Sequence, residues 1–209
     1  PLFYYRRHNN NLTNNSELIL QTRSKIISKF VSKNDYKIGN TLAIIPVRGP
    51  KFNLNSVALE KINNNNTLLD LKIKEILKSE LISKIVVTSP DNEVVEFLES
   101  RSYENVIVLE REPKLARLNS GLVETVNHVL ENIDQSKFEA FATFSVHFPF
   151  LNILHIDNAI KSMYLFDTDS VISVRTTNER YFTSSKNGLK PITNQNNFTK
   201  LERLSLIHI

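Results

Sequence analysis

From Thr41 onward the sequence alternates short apolar runs with stretches of helical periodicity, and this alternation limits the fold more than any other feature. Leu42-Ala43-Ile44-Ile45-Pro46-Val47 is apolar at successive positions, as a parallel strand covered on both faces requires. Leu68, Leu69, Leu71, Ile73, Ile76 and Leu77 then fall at helical spacing behind Thr67, a capping residue type. A second strand is predicted at Lys84 to Thr88, and a helix opened by Ser89 or Asp91 carries Val94, Val95, Phe97 and Leu98. Val106 to Leu109 is the third strand. A helix with Leu122, Val123, Val126, Val129 and Leu130 follows, then a fourth strand at Phe138 to Phe144 and a helix over about Ile153 to Phe166. Asp169 to Val174 is expected as a fifth strand, Lys186-Asn187-Gly188-Leu189 as a hairpin and Leu204 to Ile209 as a last apolar run. Strands alternating with helices imply a three-layer, Rossmann-like, doubly wound, mostly parallel α/β sheet that binds ligands at the carboxyl ends of its strands. Arg48, Ser89 and His147 fall on that rim.

Residues 1–40 read differently, as an appended N-terminal helical segment preceding an α/β domain over 41–209. An aromatic and basic start, Phe3 to His8, leads through an asparagine-rich turn to Leu18, Ile19, Ile26, Ile27, Phe30 and Val31, one helical face if Ser16 caps it. The chain begins at Pro1, so it is expected to be a piece of a longer polypeptide.

Composition narrows the function classes. Hydrophobic residues at 41% and charged residues at 23% are ordinary for a globular chain, so it is expected to fold. It has no cysteine, which removes disulfides, thiolate metal sites and a cysteine nucleophile and fits a reducing, cytoplasmic setting. The net charge of +4 is spread among acids rather than gathered in a stripe, so nucleic acid is not the expected partner and small anions are. No apolar run reaches the roughly 18 residues of a membrane helix. With only four glycines there is no Gly-x-Gly-x-x-Gly and no Walker lysine loop.

Several segments together carry a resemblance. Ile45-Pro46-Val47-Arg48-Gly49-Pro50-Lys51, Ile85 to Val94, Leu109 to Ala116, the helix with Val126, His128 and Leu130, Asp169 to Val174 and Asn187 to Ile192 resemble, in order, the acylneuraminate (CMP-sugar) cytidylyltransferases. That resemblance implies a nucleotide-diphospho-sugar transferase type of sheet, a homodimer, and transfer of CMP from CTP to a sugar acid with magnesium assistance and release of pyrophosphate. It places Arg48, Gly49, Lys51, Ser89 and Arg111 at the nucleotide and His147 at the substrate, with no catalytic residue and no metal ligand assigned. Beside these functional readings stand plainer ones: Ser89 and Asp91 as helix caps, Lys51 as a surface lysine, His147 as a structural residue.

The chain departs from the family pattern where the chemistry would lie. A second loop glycine is Pro50, which has no N–H to offer a phosphate. A Lys-Asn pair falls on Val57 and Ala58, an acidic position on Leu118, and a polar run on Ser145-Val146-His147-Phe148-Pro149-Phe150-Leu151. The departures leave two expectations, an impaired cytidylyltransferase or an inactive scaffold. Tyr4 to Thr13 resembles the closing stretch of family 2 glycosyltransferase domains, which implies a fusion with such an enzyme upstream.

Overall fold

The structure is a computed structural model describing residues 15–33, 37–63, 66–117, 120–177, 182–186, 188–191 and 204–207. It divides into two units, Pro1–Asp169 and Ser170–Ile209.

In the first unit the described elements are, in chain order, α1 (Ser16–Lys33), β1 (Thr41–Pro46), α2 (Leu68–Ile76), β2 (Ile82–Ser89), α3 (Asn92–Arg101), β3 (Val106–Glu110), α4 (Leu122–Glu131), β4 (Ala140–Thr143) and α5 (Ile153–Leu165). The four strands form one parallel sheet in the order β3-β2-β1-β4. In the middle of the sheet Ile44 stands opposite Val86 on one side and Thr143 on the other.

The continuous apolar run of β1 serves two cores. Ala43 and Ile45 pack with Leu69, Ile73 and Ile76 of α2, Val94 and Leu98 of α3, and Ile156 and Ile160 of α5. Leu42 and Ile44, alternating to the other face, pack with Val126 and Val129 of α4. Helices therefore cover both faces, which is the expected three-layer α/β arrangement. The strand order reverses between β1 and β4, and in such sheets the crevice at the reversal is where ligands bind.

Local signals account for most boundaries. Thr67 caps α2 in a reciprocal box: its hydroxyl accepts from Asp70 N at 3.1 Å, and the Asp70 carboxylate accepts from Thr67 N at 2.8 Å. Asp91 caps α3, its Oδ1 accepting from Glu93 N at 3.1 Å. At α1 the cap is Asn15 rather than Ser16, because Asn15 Oδ1 accepts from Leu18 N at 3.0 Å and Ser16 falls inside the helix. Only part of the expected α1 face is covered. Ile19, Ile27 and Val31 are half-buried while Leu18, Ile26 and Phe30 are exposed, since the apolar stripe is wider than the contact with α5. Strand β4 is shorter than expected because a 3-10 turn at Gln135–Lys137 holds Phe138, although Phe144 N still donates to Ile44 O at 2.9 Å.

In the second unit β5 (Val174–Thr177) pairs antiparallel with β8 (Leu204–Ile207), and β6 (Phe182–Ser185) with β7 (Gly188–Pro191). The expected fifth parallel strand at Asp169 to Val174 does not form; its strand begins only at Val174, and Val171 and Ile172 are exposed. Two serines flank those two apolar residues, too little for a strand buried on both faces such as β2 presents at Ile85, Val86 and Val87. The expected hairpin is present: Ser185 pairs with Gly188, whose φ of +107° suits glycine. Asn187, Tyr181 and the segment Tyr4 to Thr13 lie outside the described residues.

Candidate functional site

A pocket of about 290 Å³ opens at the carboxyl edge of the sheet, beside the strand-order reversal. Its walls come from three connections. Pro46, Arg48, Asn53 and Ser56 follow β1; Arg111, Ser120, Gly121, Leu122 and Thr125 follow β3 and open α4; Ser145, Val146 and His147 follow β4. Of the residues singled out from sequence, the fold brings Arg48, Arg111 and His147 together here.

Arg111 is the anchor of this pocket. Its backbone N donates to Ser89 O at 3.0 Å, and the side chain turns inward despite the neighbouring Glu112, which is exposed and paired with Lys114 at 2.5 Å. Nη2 donates to Val47 O at 3.1 Å and Nη1 to Thr125 Oγ1 at 3.3 Å, while the buried Nε has no partner. The residue is only 4% exposed. Burial and then the nearby Arg48 cation push its pKa down to about 10, the expected direction for a cation short of compensating charge. Arg48 is half-buried, and its Nη2 donates to Arg117 O at 2.8 Å. His147 is exposed on the opposite wall, its backbone N donating to Ser145 Oγ at 3.2 Å.

The other named residues build the walls instead of lining the pocket. Ser89 is fully buried and its Oγ accepts from Asp91 N at 3.1 Å. Asp91, also fully buried, uses Oδ2 to accept from Lys51 N at 2.9 Å. Gly49 lets this carboxylate come close: a Cβ there would stand 2.6 Å from Asp91 Cγ and 2.8 Å from Asp91 Cβ, inside any real contact. The Lys51 side chain is exposed and does not line the pocket, and its backbone N is held by Asp91. Ala58, where the resemblance expects a polar side chain, is packed in the core.

Several amides of the loop after β1 are engaged within the protein. Val47 N donates to Thr88 O at 2.9 Å, Phe52 N and Asn53 N donate to Gly49 O at 3.1 and 2.9 Å, Lys51 N is held by Asp91, and Pro50 has none. Ser56 Oγ donates to Arg48 O at 2.6 Å. The cationic side chains that line the pocket are the Arg48 and Arg111 guanidinium groups.

One functional support was hidden in the sequence. Lys72 on α2 is 1% exposed, with its ammonium donating to Phe148 O, and Glu75 Oε1 accepts from Ile153 N at 2.8 Å. Both tie the connection that carries Ser145 and His147. Lys72 stands three residues after Leu69, on the core-facing stripe, and a lysine in an apolar stripe is the signal that would have found it. For Gly121 the signal was a small residue before the apolar run of α4; nothing in the sequence joins Thr125 to Arg111.

A divalent cation fits this pocket poorly. Among the described residues no Asp or Glu lines it, and no group of three or more His, Cys, Asp or Glu side chains converges anywhere.

No protein-family model matches the sequence, and no curated protein matches it. Solved structures do match. The 4-diphosphocytidyl-2C-methyl-D-erythritol synthase of Anaerococcus prevotii superposes with a TM-score of 0.60 at 11% identity, over 82% of this chain and 68% of that one. The 2-C-methyl-D-erythritol 4-phosphate cytidylyltransferase of Francisella tularensis gives 0.53 at 20% identity, over 81% and 70%. A further 4-diphosphocytidyl-2C-methyl-D-erythritol synthase gives 0.56 at 15% identity, over 82% and 72%. The fold is that of these cytidylyltransferases. At such identities the likeness concerns the arrangement of the chain and not the residues of its pocket. Among the described residues no helix is long and apolar enough to cross a membrane.

Proposed function

We propose that the chain binds CTP in the Arg48 and Arg111 pocket and transfers its cytidylyl group to a sugar acid of the sialic-acid type. The observation that carries this reading is two arginines lining one acid-free pocket at the carboxyl edge of a cytidylyltransferase fold. In the reaction, an acceptor hydroxyl oxygen attacks the α-phosphorus, the bond from phosphorus to the bridging oxygen breaks, pyrophosphate leaves and the hydroxyl proton passes to solvent. Such chemistry depends on fixed positive charge around the phosphates, which Arg48 and Arg111 supply. His147, on the opposite wall, contacts the acceptor. Gly49 and Ser89 serve the site indirectly, by seating Asp91 under the loop.

The proposal extends to the wider chain: an α/β domain over 41–209 working as a homodimer in the cytoplasm, with residues 1–40 joining it to a glycosyltransferase that consumes the CMP-sugar. The resemblances of Tyr4 to Thr13 and of the α/β segment support this.

A second reading, a catalytically inactive scaffold or interaction module of the same fold, is favoured by Pro50, which offers a phosphate no N–H, and by Ala58 packed in the core. Pyrophosphate release separates the two. Incubation with CTP, magnesium and a panel of 2-keto sugar acids is expected to release pyrophosphate with CTP alone among the nucleotides, and Arg48→Gln is expected to suppress it. No pyrophosphate from any acceptor, with no binding of any nucleotide, would select the second reading.

A further inference from the structure

Helix α1 is held to the rest of its unit along one side. Lys161 Nζ of α5 donates to Ser28 Oγ at 3.1 Å, and Leu20, Ile27 and Val31, which share that side of the helix, are half-buried. The other side is exposed and combines two residue types. Leu18, Thr22, Ile26 and Phe30, four apart, form one row along the helix, with Leu18, Ile26 and Phe30 at 43%, 62% and 49% exposure. Lys25, Lys29 and Lys33 form the neighbouring row, each three residues after a member of the first, and Arg23 stands three residues before Ile26 on its other flank. All four cations are exposed, and among the described residues none of them is in an ion pair. The helix has one acid, Glu17 in the first turn, whose carboxylate accepts from Gln21 Nε2 at 3.4 Å.

The distribution of charge along the sequence points to the same place. Cations and acids are mixed over most of the chain, yet residues 1–33 hold six of the 26 Lys and Arg and one of the 22 Asp and Glu, a net +5 that leaves −1 for residues 34–209. The surplus of positive charge thus belongs to this helix and the sequence before it. A second copy would bring like charges together on this face, and nucleic acid would leave its large apolar side chains unused. The apolar residues form a single row on a convex helix, with a cation on either flank of Ile26, which suits a plane more than a groove. An anionic lipid surface satisfies both residue types at once. The apolar row enters the boundary between head groups and acyl chains, while the lysine stems lie along it and their ammonium groups reach the head-group phosphates.

We propose that the exposed face of α1 docks on an anionic membrane surface, with the helix axis in the plane of the bilayer. The attachment is peripheral and independent of the pocket. The test is co-sedimentation of the full chain with vesicles of equimolar phosphatidylcholine and phosphatidylglycerol, beside vesicles of phosphatidylcholine alone, at low and high salt. Saturable binding to the anionic vesicles is expected, weakened by salt, with little binding to the neutral ones. Ile26→Gln is expected to keep its Tm, because the side chain is exposed, and to weaken binding about tenfold. Lys25→Gln combined with Lys29→Gln should weaken it about 25-fold, about fivefold for each charge. Circular dichroism checks the fold of both variants, and should one unfold the other carries the test. No binding to the anionic vesicles, or binding that a folded variant leaves unchanged, overturns the proposal. Two further results without vesicle binding overturn it and name another occupant: a dimer in sedimentation equilibrium that Ile26→Gln dissociates assigns the face to a second copy, and binding of a polyglutamate peptide assigns it to an acidic protein.

Discussion

Replacing Gly49 with alanine forces a choice on Asp91. The new Cβ would lie 2.6 Å from Asp91 Cγ and 2.8 Å from its Cβ, and Asp91 is fully buried. Moving the carboxylate breaks its bond from Lys51 N at 2.9 Å and its cap on Glu93 N at 3.1 Å. A lost helix cap costs about 1 kcal/mol and a lost internal hydrogen bond about another 1 kcal/mol, so Gly49→Ala should destabilise by about 2 kcal/mol. For a domain of this size that is a fall in Tm of about 4–8 °C. Urea unfolding followed by circular dichroism measures it, with an unchanged m-value confirming a stability effect. The decisive arm is the double variant. Asp91→Gly alone should cost a similar amount, and Gly49→Ala added to it should cost almost nothing, because the Cβ, Cγ and carboxylate that clash are gone. Additive losses in the double variant would refute the claim that glycine is present to admit Asp91.

Lys72 and Tyr103 predict opposite responses to alkali. Burial holds the Lys72 ammonium down to about 8 against an ordinary 10.5, so between these values the unfolded chain binds more protons and stability should rise with pH; Lys72→Met should flatten that rise in a pH series of urea melts. Burial, and after it the bond to Asp70, raises the Tyr103 hydroxyl above its ordinary 10.0, so stability should fall as pH climbs past 10, and Tyr103→Phe should remove that part of the fall. Asp70 is fully buried and accepts from Thr67 N, Thr67 Oγ1 at 3.1 Å, Arg101 Nη2 at 3.2 Å and Tyr103; Asp70→Ala should cost about 3 kcal/mol in the same assay.

The layout of the sheet was readable from the sequence because its cues are local. An apolar run such as Leu42 to Ile45, or Thr67 followed by Asp70, specifies its own strand or helix start within a few residues. The pocket was readable only in part. Arg48 and His147 follow directly from strand ends, so placing the strands places them. What Arg111 and Gly49 do depends on partners far along the chain: Val47 is 64 residues from Arg111, and Lys51, two residues beyond Gly49, is 40 residues from Asp91. The glycine is needed for a side chain arriving from another strand end rather than for wrapping a phosphate. Lys51 illustrates the converse, since a matching residue type near a matching position still left its side chain outside the pocket. The fifth strand failed because neighbouring strands, not propensity alone, decide whether Val171 and Ile172 are covered.

Titration calorimetry of CTP into the full chain with magnesium, beside UTP, ATP and GTP and repeated with Arg48→Gln, tests the central claim most directly. The Arg48 and Arg111 pocket should bind CTP at micromolar strength and the others more weakly, with about a tenfold loss in Arg48→Gln, the size expected for one charge-assisted hydrogen bond. Binding of no nucleotide, or CTP binding that Arg48→Gln leaves untouched, would contradict the assignment of this pocket.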